Sequence, residues 1–179
     1  ISYQQEGYLK VYDLKQDENH IKSELSGTIL EVTLENPIMP GDSTFISLKF
    51  EGKIPDLIRR AGKNSSEGVA LSMAQWYPKM AEYDYEGWNA EPYLGREFHG
   101  VWGNFDVKIT LNKKYVVAAS GYLQNADEVG HGYSKGKGKP KKKKLSWHFY
   151  APNVHDFTWS ADPKYCLLYT SDAADETGR

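Results

Sequence analysis

Cysteine is nearly absent from this chain. Only Cys166 occurs among 179 residues, which excludes a disulfide framework, a CxxC redox pair and a thiolate-rich metal site. Long apolar runs are missing as well, so no helix is expected to cross a bilayer. No basic segment followed by an apolar one opens the chain, so no signal peptide is visible, although the sequence begins at Ile1 rather than Met. Phosphate-cradling GxGxxG and GxxxxGK[ST] loops and the GxSxG nucleophile elbow do not occur, which removes the sequence signs of nucleotide binding and of a serine hydrolase. The five histidines, His20, His99, His131, His148 and His155, include no pair at the one-turn helical spacing of an HExxH zinc site. His148 and His155 stand seven apart on an expected strand and so take opposite faces. Asp84 and Glu86 have no second catalytic group beside them and read as solvated surface.

Turn formers and aromatics are plentiful instead. Aromatic residues make up 13% of the chain, with 16 Gly and 8 Pro, a composition that favours strands and turns over helices. In "TILEVTLEN" Leu30, Val32 and Leu34 share one face, and "STFISLKFEG" repeats the alternation with Ile46, Leu48 and Phe50. With "NPIMPGDS" between them, the two segments predict a hairpin. "NFDVKITLN" alternates Phe105, Val107, Ile109 and Leu111 with polar residues. The segment "KKYVVAASGYLQN" follows a tight turn at residues 112–114 and predicts a second hairpin. A last strand region holds Trp147, Phe149, Phe157 and Trp159, and only "IPDLIRRAG", residues 54–62, could form a short helix. The expected fold is all-β: a single domain over residues 1–165, built as an antiparallel β-sandwich or saddle-shaped curved sheet.

The net charge of −2 is unevenly spread. Seven of the 22 basic residues lie between Lys135 and Lys144, which leaves 15 against 24 acidic residues in the rest. The Lys-rich segment, residues 134–144, is broken by Gly and Pro and reads as a solvated loop. It carries no interleaved aromatic to stack on a base, so no nucleic acid is expected as a partner.

One stretch does not fit a plain core strand. "ALSMAQWYPKMAEYDYEGW", from Ala70 to Trp88, combines two Trp, three Tyr and two Met with a lone Gln and several acids. Together with "VTLENPIMPGDSTFISLKFEGKIP", "REFHGVWGNFDVKITLNKKYVVAASGYLQN" and "NVHDFTWSAD", it resembles the N-terminal β domain of the aminopeptidase N family of zinc metallopeptidases, in the form found in Bacteroidetes-type bacteria. The blocks follow the family's order across roughly residues 28 to 163.

The resemblance implies a saddle-shaped domain that packs on a catalytic zinc-peptidase domain of the same parent chain and lines the pocket for a peptide substrate. It also implies an exported, periplasmic or extracellular parent. The family's HExxH helix and its zinc would belong to that other domain. No catalytic residue, metal ligand or cofactor is therefore expected in this chain, and by itself it should be inactive. By the same resemblance Gln75 lines the pocket for the first substrate residue, and Tyr77 stands where an acid or amide commonly holds the free amino group. A phenol there can accept a hydrogen bond from an ammonium but brings no charge. Trp76, Tyr83, Tyr85 and Trp88 read as core or interdomain packing. Residues 166–179 begin with "CLLYTSDAADE", which resembles a translated sequencing adapter and is read as outside the natural sequence. The alternative is a free-standing β-sandwich module that binds carbohydrate or protein through exposed Trp and Tyr.

Overall fold

A computed structural model describes residues 6–56, 60–90, 100–131, 133 and 142–167. Its architecture is all-β, and every strand pairing is antiparallel. Among the described residues no helix is long and apolar enough to cross a membrane.

The N-terminal third holds β1 (Tyr8–Gln16), β2 (Asn19–His20), β3 (Lys22–Ser26), β4 (Ile29–Thr33) and β5 (Ile46–Lys53). β1 is the middle strand of a three-stranded sheet between β2 and β5, while among the described residues β3 and β4 pair only with each other. The expected hairpin between the 28–36 and 44–52 segments is therefore not formed. The two-residue connection Gly27–Thr28, with Gly27 at φ 61°, folds β4 back onto β3 instead. So short a turn with a left-handed glycine closes more readily than the connection that includes "NPIMPGDS". That connection is held by two neighbouring side chains: the Asp17 carboxylate accepts from Thr44 Oγ1 and the Phe45 amide, and Gln16 does the rest. Gln16 is buried, and its amide nitrogen donates to the Asn36 carbonyl and Thr44 Oγ1, while its oxygen accepts from the Glu35 and Asn36 amides. A buried amide with all these groups matched fixes the loop without a desolvation penalty.

Next come β6 (Gly62–Lys63), β7 (Leu71–Met73), β8 (Tyr83–Asp84) and β9 (Gly87–Trp88). Residues 57–59 of the expected helix lie outside the described residues. Of the rest, Asp56 bridges Lys63 and Gly62 opens β6, so no helix is seen there. The final third holds β10 (Gly103–Asn112), β11 (Val116–Ala119), β12 (Tyr122–Leu123), one helical turn α1 (Ala126–Val129), β13 (Lys144–Val154) and β14 (Trp159–Asp162).

The second expected hairpin is also absent as a pairing. The tight turn is present, with the Tyr115 amide donating to the Asn112 carbonyl at 3.0 Å, but it passes the chain between sheets. β10 pairs with β13, in the sheet β10-β13-β12. β11 pairs with β14, in the sheet β11-β14-β7-β6. The reason is apolar on both sides. Ile109 and Leu111 on β10 and Val116 and Val117 on β11 all turn toward one core, which two facing sheets can enclose and a flat hairpin cannot. Trp147 and Phe149 of β13, Phe157, and Ala161 of β14 complete that core, and α1 contributes the buried Val129.

Gly121 marks where the chain leaves β11 for β12. It has φ 78°, and a Cβ there would sit 2.4 Å from the Tyr150 carbonyl oxygen, so only glycine fits. Of the Lys-rich segment, residues 134–141 lie outside the described residues, and Lys144 belongs to β13 rather than to the loop.

Candidate functional site

After β7 the chain bends at Ala74 and Gln75. Gln75 is exposed and holds φ 54°, a left-handed conformation that is uncommon for a residue with a side chain. The two residues after it are fastened down. The Trp76 indole N–H donates to the Phe157 carbonyl at 3.0 Å, and its ring meets Trp159 edge-on at 6.2 Å and Phe50 at 6.3 Å. Trp76 thus packs against the core, as its sequence context implies, and ties the N-terminal sheet to it.

Tyr77 comes next. Its ring meets Trp76 and Phe105 edge-on, and its hydroxyl donates to Asp156 Oδ1 at 2.9 Å. The same carboxylate accepts the Phe157 amide at 2.8 Å on Oδ1, and Lys79 Nζ lies 3.6 Å from Oδ2. Asp156 is therefore the knot between the Gln75–Lys79 loop and the bend that joins β13 to β14. A close backbone approach supports it: a Cβ on Gly100 would lie 2.5 Å from the His155 carbonyl and 3.2 Å from Lys79 Nζ.

The structure thus brings together Gln75, Tyr77, Lys79 and Asp156. Asp156 and Lys79 are not prominent in the sequence. Asp156 lies in the "NVHDF" block, but what marks it is its position across the fold from Tyr77, which no local pattern shows. Its presence changes the chemistry of Tyr77. With its proton committed to a carboxylate, the phenol oxygen offers only lone pairs to an approaching group and acts as an acceptor. The negative charge that Tyr77 lacks stands directly behind it, shared with Lys79.

The phenol is pushed well above its ordinary value of 10.0, first by burial, then by its bond to Asp156 and that residue's charge. A group whose folded pKa is raised contributes stability that is fully present below the unfolded value and is lost as pH rises toward the folded one. Wild-type protein should therefore lose stability more steeply above about pH 10 than Tyr77→Phe does. Parallel thermal melts from pH 8 to 11 check this, and identical slopes would show that the phenol does not titrate as described.

The remaining candidates lie elsewhere. His148 pairs with Asp106 at 2.9 Å, and the His155 ring packs on Trp102 at 5.3 Å, so the two histidines have separate partners. Among the described residues no group of three or more His, Cys, Asp or Glu could hold a metal ion.

The β8–β9 hairpin departs from expectation. Of the two expectations for Tyr83, Tyr85 and Trp88, core or interdomain packing, the first does not hold: all three are exposed. Asp84 Oδ1 accepts the Glu86 amide at 2.8 Å and Oδ2 accepts Asn89 Nδ2 at 3.0 Å. Asp84 is thus a brace of the turn, not merely solvated surface as its spacing from Glu86 implies.

No family model, curated protein or solved structure matches the chain.

Proposed function

We propose that the chain is the non-catalytic β domain of an exported zinc-dependent aminopeptidase-type metallopeptidase, which packs on a catalytic domain of the same parent and contributes a wall of its peptide-binding pocket. One observation carries the reading beyond the resemblance. The Gln75–Lys79 loop is pinned by Trp76 and by the Tyr77–Asp156 bond, while Gln75 itself stays exposed in a left-handed turn. A polar amide presented from a rigid support is what a positioning contact to a substrate requires. Tyr77 adds an acceptor backed by negative charge, suited to a substrate amino group. Zinc enters this reading only through the catalytic domain. The described residues of this chain form no donor set for it, and no step here passes through the metal.

The test is Gln75→Ala in the parent enzyme. Loss of a hydrogen-bond partner in a desolvated pocket should lower kcat/KM by the equivalent of roughly 1 to 3 kcal/mol while the melting temperature stays unchanged. The comparison uses peptide substrates with free and acetylated N-termini. An unchanged kcat/KM, or a loss that merely tracks unfolding, would remove Gln75 from the site.

A free-standing module for carbohydrate or protein is the second reading, favoured by the exposed aromatics of the β8–β9 hairpin.

A further inference from the structure

Among the described residues β10 is the longest strand that ends a sheet. In the order β10-β13-β12 it has β13 on one side and no strand on the other. A 10-residue edge offers a row of backbone N–H and C=O groups to one further strand. Its apolar side is incomplete as well. Ile109 is buried, but Phe105, Val107 and Leu111 pack on the core while staying partly open.

The polar side of β10 decides which strand fits. It reads Asn104, Asp106, Lys108, Thr110, all exposed, with one acid and one base two residues apart. The Asp106 side chain is 62% exposed, and its Oδ1 meets His148 Nε2 at 2.9 Å. Its second oxygen and the Lys108 ammonium have no partner among the described residues. In an antiparallel pairing of β10 with β10 of a second copy, a two-fold axis at Val107 sets Asp106 opposite Lys108 twice over. The same register sets Phe105 opposite Ile109 and Val107 opposite Val107, so the apolar face runs on from one copy to the other. A slip of two residues would put Asp106 against Asp106 or Lys108 against Lys108, and a slip of one would set apolar residues against polar ones. β5, the next longest edge, already has its central Lys49 on Asp13 at 2.7 Å.

We propose that β10 is a self-association edge, which joins two copies of this chain in a symmetric antiparallel dimer with Asp106 of each against Lys108 of the other. It does not rest on the aminopeptidase reading.

The test is sedimentation velocity on the full 179-residue chain across a wide range of concentration. The wild type should pass from monomer to dimer as concentration rises. Lys108→Glu sets a carboxylate against Asp106, and Asp106→Lys sets an ammonium against Lys108, so each variant alone should dimerise roughly tenfold more weakly or worse. Mixed, the two variants restore both opposite-charge pairs and should form a heterodimer. Thermal melts check that each is folded. A cross-link reads the register. In a Cys166→Ser background, Val107→Cys should oxidise to a covalent dimer, because Val107 meets its own copy at a distance a disulfide can span. Thr110→Cys, set opposite Asn104, should not. The proposal is overturned if the wild type stays monomeric throughout, if the dimer survives both charge changes, or if the folded variants fail to associate when mixed. A dimer abolished by Cys166→Ser alone would also overturn it, by tracing association to that thiol.

Discussion

Trp147→Ala should remove a large share of the stability of this domain. Trp147 is 0% exposed on β13, opposite Ile109 in register, with the His131 ring stacked at 5.8 Å and Tyr133 edge-on at 5.6 Å. Truncating so large a buried side chain costs about 3–5 kcal/mol, because the lost transfer energy is compounded by a cavity that the surrounding sheets cannot close. Against a typical domain stability of roughly 5–15 kcal/mol, that is a large fraction of the total.

Trp147→Phe separates volume from polarity. The Trp147 indole N–H meets no acceptor among the described residues, so the smaller ring gives up packing but no hydrogen bond and should cost less than the truncation. Trp88→Ala is the contrast within the same chain. On its exposed hairpin that change should stay within about 0.5 kcal/mol. Urea unfolding of the three variants decides the matter. A Trp147→Ala loss no larger than that of Trp88→Ala would show that the core does not close around Trp147.

Asp156→Ala should also be strongly destabilising, although it alters no core contact. It strands the Tyr77 hydroxyl and the Phe157 amide without their acceptor and leaves Lys79 without its anion. Two hydrogen bonds to a charged group, each taken at the low end of the usual range, give roughly 3 kcal/mol. The carboxylate keeps 22% of its side-chain surface open to water, so the Lys79 pair adds little to that figure. Tyr77→Phe removes one of the same bonds and should cost roughly 1 kcal/mol. In the double variant the two losses should fall short of additive, since the phenol has nothing left to lose once the carboxylate is gone. If Asp156→Ala cost no more than Tyr77→Phe, the backbone bond to Phe157 and the Lys79 pair would contribute nothing. The loop would then be held by Trp76 and the Tyr77–Asp156 bond alone.

The all-β class was legible because alternation survives folding. Phe105, Val107, Ile109 and Leu111 do turn inward, and Ile46, Leu48 and Phe50 are shielded while Lys49 and Glu51 are not. The turn after Asn112 was legible too, from its polar residues. Which strand each segment would meet was not. Alternation states that a strand has an inner face, and it is silent on which sheet that face will cover. Adjacent strands therefore looked like hairpins where the chain in fact crosses from one sheet to the other.

The same limit hid part of the candidate site. Gln75 and Tyr77 stood out locally as a polar group among aromatics and through the family resemblance. Asp156 lies 79 residues from Tyr77 in sequence, and the bond between them depends on the bend after β13. The aromatic hairpin misled in the opposite way. Tyr83, Tyr85 and Trp88 have the composition of a core or of an interdomain face, and they lie outside the core on a hairpin whose turn Asp84 closes.

The passage of the chain between sheets after Asn112 governs how fast this domain can form. A hairpin there would zip from its turn within microseconds. Instead β10 must wait for β13, whose first residue is 32 positions beyond the end of β10, and β11 must wait for β14. Neither strand gains a partner until a long loop has closed, and that entropy is spent before any pairing returns it. Refolding should therefore fall in the millisecond-to-second range of chains dominated by non-local pairing. During that interval β10 stands with its apolar face uncovered, which makes it the segment that a second unfolded copy would capture first.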